Sequence, residues 1–347
     1  MRKPLLFSVF LAGILFISGF ISDNPDQKVS KKDVALEIPK GFPKPKYDFN
    51  QNRITPEGFV LGRKLFYDPI LSLDSSTSCA SCHQHFAAFG HIDHKLSHGI
   101  NARIGKRNVP SLQNLIWQNS FMWDGGVNQL DVFPISPITH PSEMGESLEH
   151  VLTKLKKHKE YPEQFRKVFG KKEITTETTL KAISQFLCLL NSTDSKYDQF
   201  VAGKDSLTQQ ENSGLTLFRN RCSRCHSEPL FTDYSFRNIG LEMDTALKDS
   251  GRAGISGIRS DYMKFKVPTL RNIEMTPPYM HDGRFKNLHQ VLDHYAKGLF
   301  AGENVDPEVK INVGLSRNQK ADLVAFLKTL TDQRFLHDLR FADPGFK

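Results

Sequence analysis

Two five-residue stretches of the chain share one pattern: Cys79-Ala-Ser-Cys82-His83 and Cys222-Ser-Arg-Cys225-His226. Thiols three residues apart can reach the two vinyl groups on one edge of a haem and form thioethers. The adjacent histidine then turns its imidazole onto the iron from one side. A chain carrying this pattern twice has to wrap its backbone around two large, flat, apolar cofactors, which predicts two covalently bound haem c groups. The alternatives are a zinc site, which needs four ligands close together, and oxidation of each Cys pair to a disulfide. The histidine directly after each pair argues against both. His83 and His226 are therefore read as the proximal ligands. The fifth cysteine, Cys188, lies in the apolar run 186–190 and reads as a small buried hydrophobe.

Export fits this cofactor. Arg2 and Lys3 precede an almost wholly apolar stretch from Leu5 to Ile21, and a polar stretch follows. Residues 1–22 are read as a signal peptide, which places the protein in the periplasm. No A-x-A cleavage site appears, and the apolar run is near the minimum spanning length, so an uncleaved membrane anchor is the alternative.

The chain has 347 residues, with 46 Lys and Arg against 38 Asp and Glu, a formal net charge of +8. The surplus is not gathered into a basic stripe, so no nucleic-acid partner is expected. Length alone suggests two domains of ordinary size.

Between the motifs the sequence reads as helices. Thr55-Pro56-Glu57 is a helix start, with Thr as N-cap and Pro at the first helical position. Apolar residues at helical spacing mark further helices around Leu148–Leu155 and Leu180–Leu190. Thr208-x-x-Glu211 and Ser316-x-x-Gln319 are capping boxes. Alternating strands are absent, and the long segments between helices make sense as wrapping around cofactors.

An internal repeat joins two related halves. Val109-Pro-Ser-Leu-Gln-Asn114 matches Val267-Pro-Thr-Leu-Arg-Asn272, and Met122-Trp-Asp-Gly125 matches Met280-His-Asp-Gly283 at the same offset. Each half also has a Leu-Phe pair before its motif, Leu65-Phe66 and Leu217-Phe218. The expected fold is mainly α, two cytochrome c-like haem domains related by this repeat. They span residues 23–203, the N-terminal haem domain, and 204–347, the C-terminal one.

What faces the far side of each iron decides between chemistry and electron transfer. In the C-terminal half, Leu288, Val291, Leu292 and Tyr295 share one helical face, between a capping Asn287 and a terminating Gly298. His294 falls off that face. Tyr295 is a candidate axial ligand, and the alternative is a core tyrosine with its hydroxyl hydrogen-bonded elsewhere. In the N-terminal half, His85, His91, His94 and His98 all follow the motif, and spacing does not choose among them. Glu143, in His140-Pro-Ser-Glu-Met-Gly145, could move a proton between the oxygens of bound peroxide, or could be a solvated surface residue.

These blocks together resemble the bacterial di-haem cytochrome c peroxidase and MauG superfamily. The carrying stretches run from about residue 54 to 335: LGRKLFYDPILS, CASCH, GKRNVPSLQN, FMWDGG, FPISPITHPSEMG, LFRNRCSRCH and FKVPTLRNIEMTPPYMHDGRFKNL. The resemblance implies a peroxidatic N-terminal haem and a C-terminal haem that relays electrons. It puts Trp123 between the haems, Glu143 as catalytic acid–base and His98 as a displaceable distal ligand. Asn108, Thr276 and Pro278 match an interdomain calcium site, the last through its carbonyl. Two departures stand out. The relay haem's sixth-ligand position, a Met in peroxidases, is Tyr295 here, as in MauG. A Gln placed near the catalytic Glu falls on Phe133. MauG lacks the distal histidine that this chain has in His98.

The preferred reading is an enzyme, a cytochrome-c peroxidase-type oxidoreductase. It would reduce hydrogen peroxide to water with electrons from a small donor protein, a monohaem cytochrome c or a cupredoxin. The alternatives are a MauG-like enzyme oxidising a protein or small molecule, and a non-catalytic di-haem electron carrier. A homodimer stays open as the assembly.

Overall fold

The structure is a computed structural model that describes residues 29–170, 173–298, 301–302 and 304–345. The segment read as a signal peptide lies outside these residues. No helix among the described residues is long and apolar enough to cross a membrane.

The fold is mainly helical and is built around two helix pairs. The first packs Pro56–Tyr67 against Thr176–Leu187. Thr55 caps the first of these, its hydroxyl accepting from the Gly58 amide, with Pro56 at the opening position where no amide is needed. The second pair packs Gln209–Arg221 against Arg317–Lys328. Both of its helices open on the expected capping boxes, Thr208 with Glu211 and Ser316 with Gln319. Each pair needs a glycine at its crossing. A Cβ on Gly62 would stand 2.0 Å from the Ala182 carbonyl oxygen, and one on Gly214 would stand 2.0 Å from that of Asp322. Gly62 and Gly214 both sit three residues before their Leu-Phe pair, so the repeat extends into the helices.

Each pair closes its own apolar core. Phe59, Phe66, Phe89, Ile183 and Phe186 lie in the first, Phe218, Phe231, Leu292, Leu323 and Phe326 in the second. These cores do not follow the 203/204 boundary residue for residue. Tyr197 and Phe200 pack into the second core, and the tail returns to put Phe335, Leu336 and Phe341 into the first. Chain order alone cannot show such a return.

The repeat is visible in the backbone. Asn114 and Asn272 both adopt left-handed conformations, φ 56° and 55°, as do Met122 and Met280, φ 68° and 76°. Matching bridges pair Phe121 with Val127 and Tyr279 with Phe285. The halves also exchange equivalent hydrogen bonds. The Asn108 amide donates to the His281 carbonyl at 2.7 Å, and the Lys266 amide donates to the Trp123 carbonyl at 2.7 Å. The strand pairing is short: Phe236–Arg237 runs antiparallel to Phe265–Lys266.

Candidate haem sites

Ser78 caps the turn of helix Cys79–Cys82 that presents the first pair of thiols. His83 follows, and its Nδ1 lies 2.7 Å from the Phe89 carbonyl oxygen. In the second half His226 Nδ1 lies 3.1 Å from the Phe231 carbonyl oxygen. An Nδ1–H that donates to a carbonyl fixes the tautomer and leaves the Nε2 lone pair for a metal. Both acceptors belong to phenylalanines held at positive φ, 58° for Phe89 and 55° for Phe231. That backbone is costly for a bulky side chain, so the surrounding structure must hold it. Burial pulls His83 down to about 4 and also lowers His226. Both imidazoles are thus neutral, the form that ligates.

All five cysteines are free. Burial pushes Cys79 and Cys222 up to about 12 and Cys225 up to about 11, and also raises Cys82. A zinc site or a redox pair needs thiolates, which these surroundings disfavour. Cys188 is fully buried, as its apolar run suggested.

Around the second motif lies a cavity of about 260 Å³ whose wall is mostly apolar. Cys222, Cys225, His226, Met280 and Tyr295 line it, together with Trp123 from the first half. Tyr295 is carried on helix Leu288–Lys297, capped by Asn287 and ended by Gly298 in the left-handed region. Burial, and next the nearby Cys222, raise its hydroxyl well above the usual tyrosine value. No hydrogen-bond partner is found for that hydroxyl among the described residues. His294, off this face, instead meets the Ile239 carbonyl oxygen through Nε2 at 2.8 Å. A cavity with an imidazole poised through Nε2, two thiols, an unpartnered phenol and apolar walls fits a haem.

In the first half, Glu143 sits on a turn whose backbone is pinned by the Ile100 amide, 2.8 Å from the Glu143 carbonyl oxygen. Gly99 permits this close approach, since a Cβ there would stand 2.3 Å from the same oxygen. Burial raises the Glu143 carboxyl above the ordinary carboxylate range, with His140 opposing. The carboxyl lies close enough to Cys79 and Cys82 to raise both thiols. Glu143 is therefore a half-buried acid beside the first attachment motif.

The four histidines divide. His85 Nε2 is tied to the Phe335 carbonyl oxygen at 3.1 Å. His91, His94 and His98 cluster with their rings tilted to one another, with 3.3 Å between His91 Nε2 and His94 Nδ1, and 4.2 Å between the His94 and His98 ring centroids. The His98 carbonyl oxygen lies 3.2 Å from the Cys82 sulfur, so this loop packs against the attachment motif. Asn108, Thr276 and Pro278 all line the cavity around His226. The Asn108 carbonyl accepts from the Trp123 indole N–H at 2.9 Å. No three His, Cys, Asp or Glu side chains cluster as a metal site among the described residues. A cation here would rest on amide, hydroxyl and carbonyl oxygens, which suit calcium.

A family profile described as di-haem cytochrome c peroxidase matches residues 56–206. The MauG protein of Methylorubrum extorquens is 34% identical over 319 residues, 89% of this chain and 87% of the relative. The cytochrome c551 peroxidase of Nitrosomonas europaea is 34% identical over 286 residues, 80% of this chain and 82% of the relative. The chain belongs to the di-haem cytochrome c peroxidase family. The crystal structure of a MauG-like protein associated with microbial copper homeostasis superposes with a TM-score of 0.81 at 31% identity. It covers 89% of this chain and 99% of that one. The di-haem peroxidase BthA of Burkholderia thailandensis shares the fold, with a TM-score of 0.71 at 24% identity over 84% of this chain and 90% of that one.

This family member is thus a haem oxidoreductase. Peroxidases and MauG proteins both stand among its relatives. Phe133 stacks on Phe121 with ring centroids 5.3 Å apart and lines the cavity. Sequence reasoning missed two residues here, Lys266 and His281. The repeat could have found both, because Lys266 occupies the position of Asn108 and His281 that of Trp123.

Proposed function

We propose that this protein reduces hydrogen peroxide to water at an N-terminal haem attached through Cys79, Cys82 and His83. Electrons come from a small donor protein, a monohaem cytochrome c or a cupredoxin, and enter at the C-terminal haem held by Cys222, Cys225 and His226. Residues 23–203 form the peroxidatic domain and 204–347 the electron-transfer domain. The protein works in the periplasm after removal of residues 1–22.

The observation that carries this reading is Glu143, a half-buried carboxyl with a raised pKa beside Cys79 and Cys82. Reducing a peroxide to two waters takes two electrons and two protons. The haem iron supplies the site at which peroxide binds and electrons arrive. Glu143 can accept a proton from one peroxide oxygen and return it to the other, the leaving oxygen. His98 stands on the loop packed against Cys82 and is the displaceable distal ligand. Trp123 supports a path between the haems, since it belongs to the first half yet lines the cavity of the second. Asn108, Thr276 and Pro278 hold a calcium ion where the halves meet.

A MauG-like oxidation of a protein or small molecule is the second reading, and Tyr295 favours it. An anionic phenolate stabilises ferric iron and suits a haem that withdraws electrons from a substrate. The test is steady-state peroxide reduction with a reduced monohaem cytochrome c and a reduced cupredoxin, alongside a pyridine haemochrome assay. Two haems per chain and turnover with either donor are expected. Peroxide consumption only when an organic or protein substrate is oxidised would favour the second reading, and one haem or none would overturn both.

A further inference from the structure

Lys266 ends the short strand Phe265–Lys266, and its side chain lines the cavity that also holds Cys222, Cys225 and His226. Its amine donates to Gln118 Oε1 at 2.8 Å and to the Ser120 carbonyl oxygen at 2.6 Å. Both acceptors are neutral, and an ammonium has three donors. No carboxylate pairs with it among the described residues. Asp124, the one acid that acts on it, is bound to Arg107. Burial pulls the amine down to about 7.

A cation enclosed without a counter-ion is costly, and buried charges are normally paired. The other basic side chains of this wall are engaged. Arg237 pairs with Asp233 and Asp306, Arg224 pairs with Glu308, and Arg221 donates to the Ile311 carbonyl. Arg221 and Arg224 also flank the attachment cysteines, the vinyl edge of a c-type haem. The two carboxylates of such a haem stand on a different edge, and Lys266 approaches from another element. We infer that Lys266 forms an ion pair with a propionate of the haem attached through Cys222 and Cys225, and so ties that haem to the loop carrying Trp123. The inference rests on the C-terminal haem proposed above.

Lys266 is then a positioning residue with two grips on one loop. Its backbone amide holds the Trp123 carbonyl at 2.7 Å, and its side chain holds Gln118 and Ser120. Its charge also favours the electron on the nearby iron and raises that haem's midpoint potential.

Lys266→Met keeps the length and the apolar stem and removes the charge. Spectroelectrochemistry on the holoprotein should show the C-terminal haem's potential shifted downward, with the N-terminal haem's unchanged. Lys266→Arg should restore it. Should the Met variant fail to accumulate, Lys266→Gln, a neutral hydrogen-bonding replacement, should give the same downward shift. An unmoved C-terminal potential in a neutral variant that keeps both haems would overturn the ion pair. A shift confined to the N-terminal haem would overturn the assignment to the C-terminal one. A downward shift in the wild type on adding inorganic phosphate, absent from Lys266→Met, would show that the amine takes free anions and would also overturn it. The wild-type haem count separates these outcomes from failure of the two-haem reading.

Discussion

The backbone amide of Lys266 donates to the carbonyl of Trp123 across 2.7 Å, and the repeat supplies its counterpart, Asn108 to His281, across the same distance. The two bonds tie the halves together, and Trp123 and His281 both line the cavity around His226. Trp123 reaches the cavity around His226 because Lys266 holds its backbone there. Its indole N–H is held in turn by the Asn108 carbonyl at 2.9 Å. The tryptophan is fixed at both ends by residues at one repeat position.

Glu143→Gln should keep both haems and lose about 10²–10⁴-fold in peroxide turnover, the usual contribution of a positioned acid–base. Turnover within about threefold of wild type would exclude this role. A stability readout accompanies it. Burial raises the folded carboxyl, so the native state binds the extra proton between the ordinary carboxylate value and the raised one. Stability then falls as pH rises through that window, and Glu143→Gln should lack the fall.

Tyr295→Met should raise the midpoint potential of the C-terminal haem, because a thioether favours ferrous iron where a phenolate favours ferric. The spectrum of the His83 haem should hardly change. If Tyr295→Phe leaves the potential and ligand-field bands of the C-terminal haem as they were, the tyrosine is a wall residue only. Met280, in the same wall, would be the next candidate.

His281 predicts an acid-sensitive interface. Its ring stacks on Phe265 with centroids 3.7 Å apart, and burial pulls it down to about 4 against an ordinary value of 6.5. Between those values the unfolded chain binds the extra proton, so stability is complete above pH 6.5 and is lost as pH falls towards 4. At about 1.36 kcal/mol per pH unit the loss is roughly 3 kcal/mol. Denaturant titrations of wild type and His281→Phe across this window should show a flatter profile for the variant. Parallel profiles would rule the histidine out as the source.

Gly214→Ala should destabilise the C-terminal helix pair by about 1–3 kcal/mol, the usual cost of forcing an extra carbon into a filled contact. The obstacle is the Asp322 carbonyl oxygen, 2.0 Å from the new Cβ, and backbone cannot rotate away as a side chain can. A lowered denaturation midpoint with both haems retained is expected. An unchanged midpoint would mean that the helices separate at no cost.

Much of this was legible in the chain. The attachment motifs, the caps at Thr55, Thr208, Asn287 and Ser316, and the inward face carrying Tyr295 are local patterns set by a few neighbouring residues. Glu143 was visible only as a candidate, because its meaning depends on burial beside Cys79, which lies far away in sequence. Lys266 looked like one more basic residue. The repeat placed it opposite Asn108 on paper, but a lysine matters here only once it is enclosed.

The sequence by itself determined the two attachment motifs, the histidine that follows each, and that the halves repeat, because attachment motifs and helix caps depend on spacings of a few residues. Tertiary structure alone decided that the tail re-enters the first core. It alone decided that Trp123 crosses into the second half's cavity and that Lys266 lies in its wall with no carboxylate partner among the described residues. These outcomes depend on which distant surfaces exclude water from one another, and no local spacing encodes that.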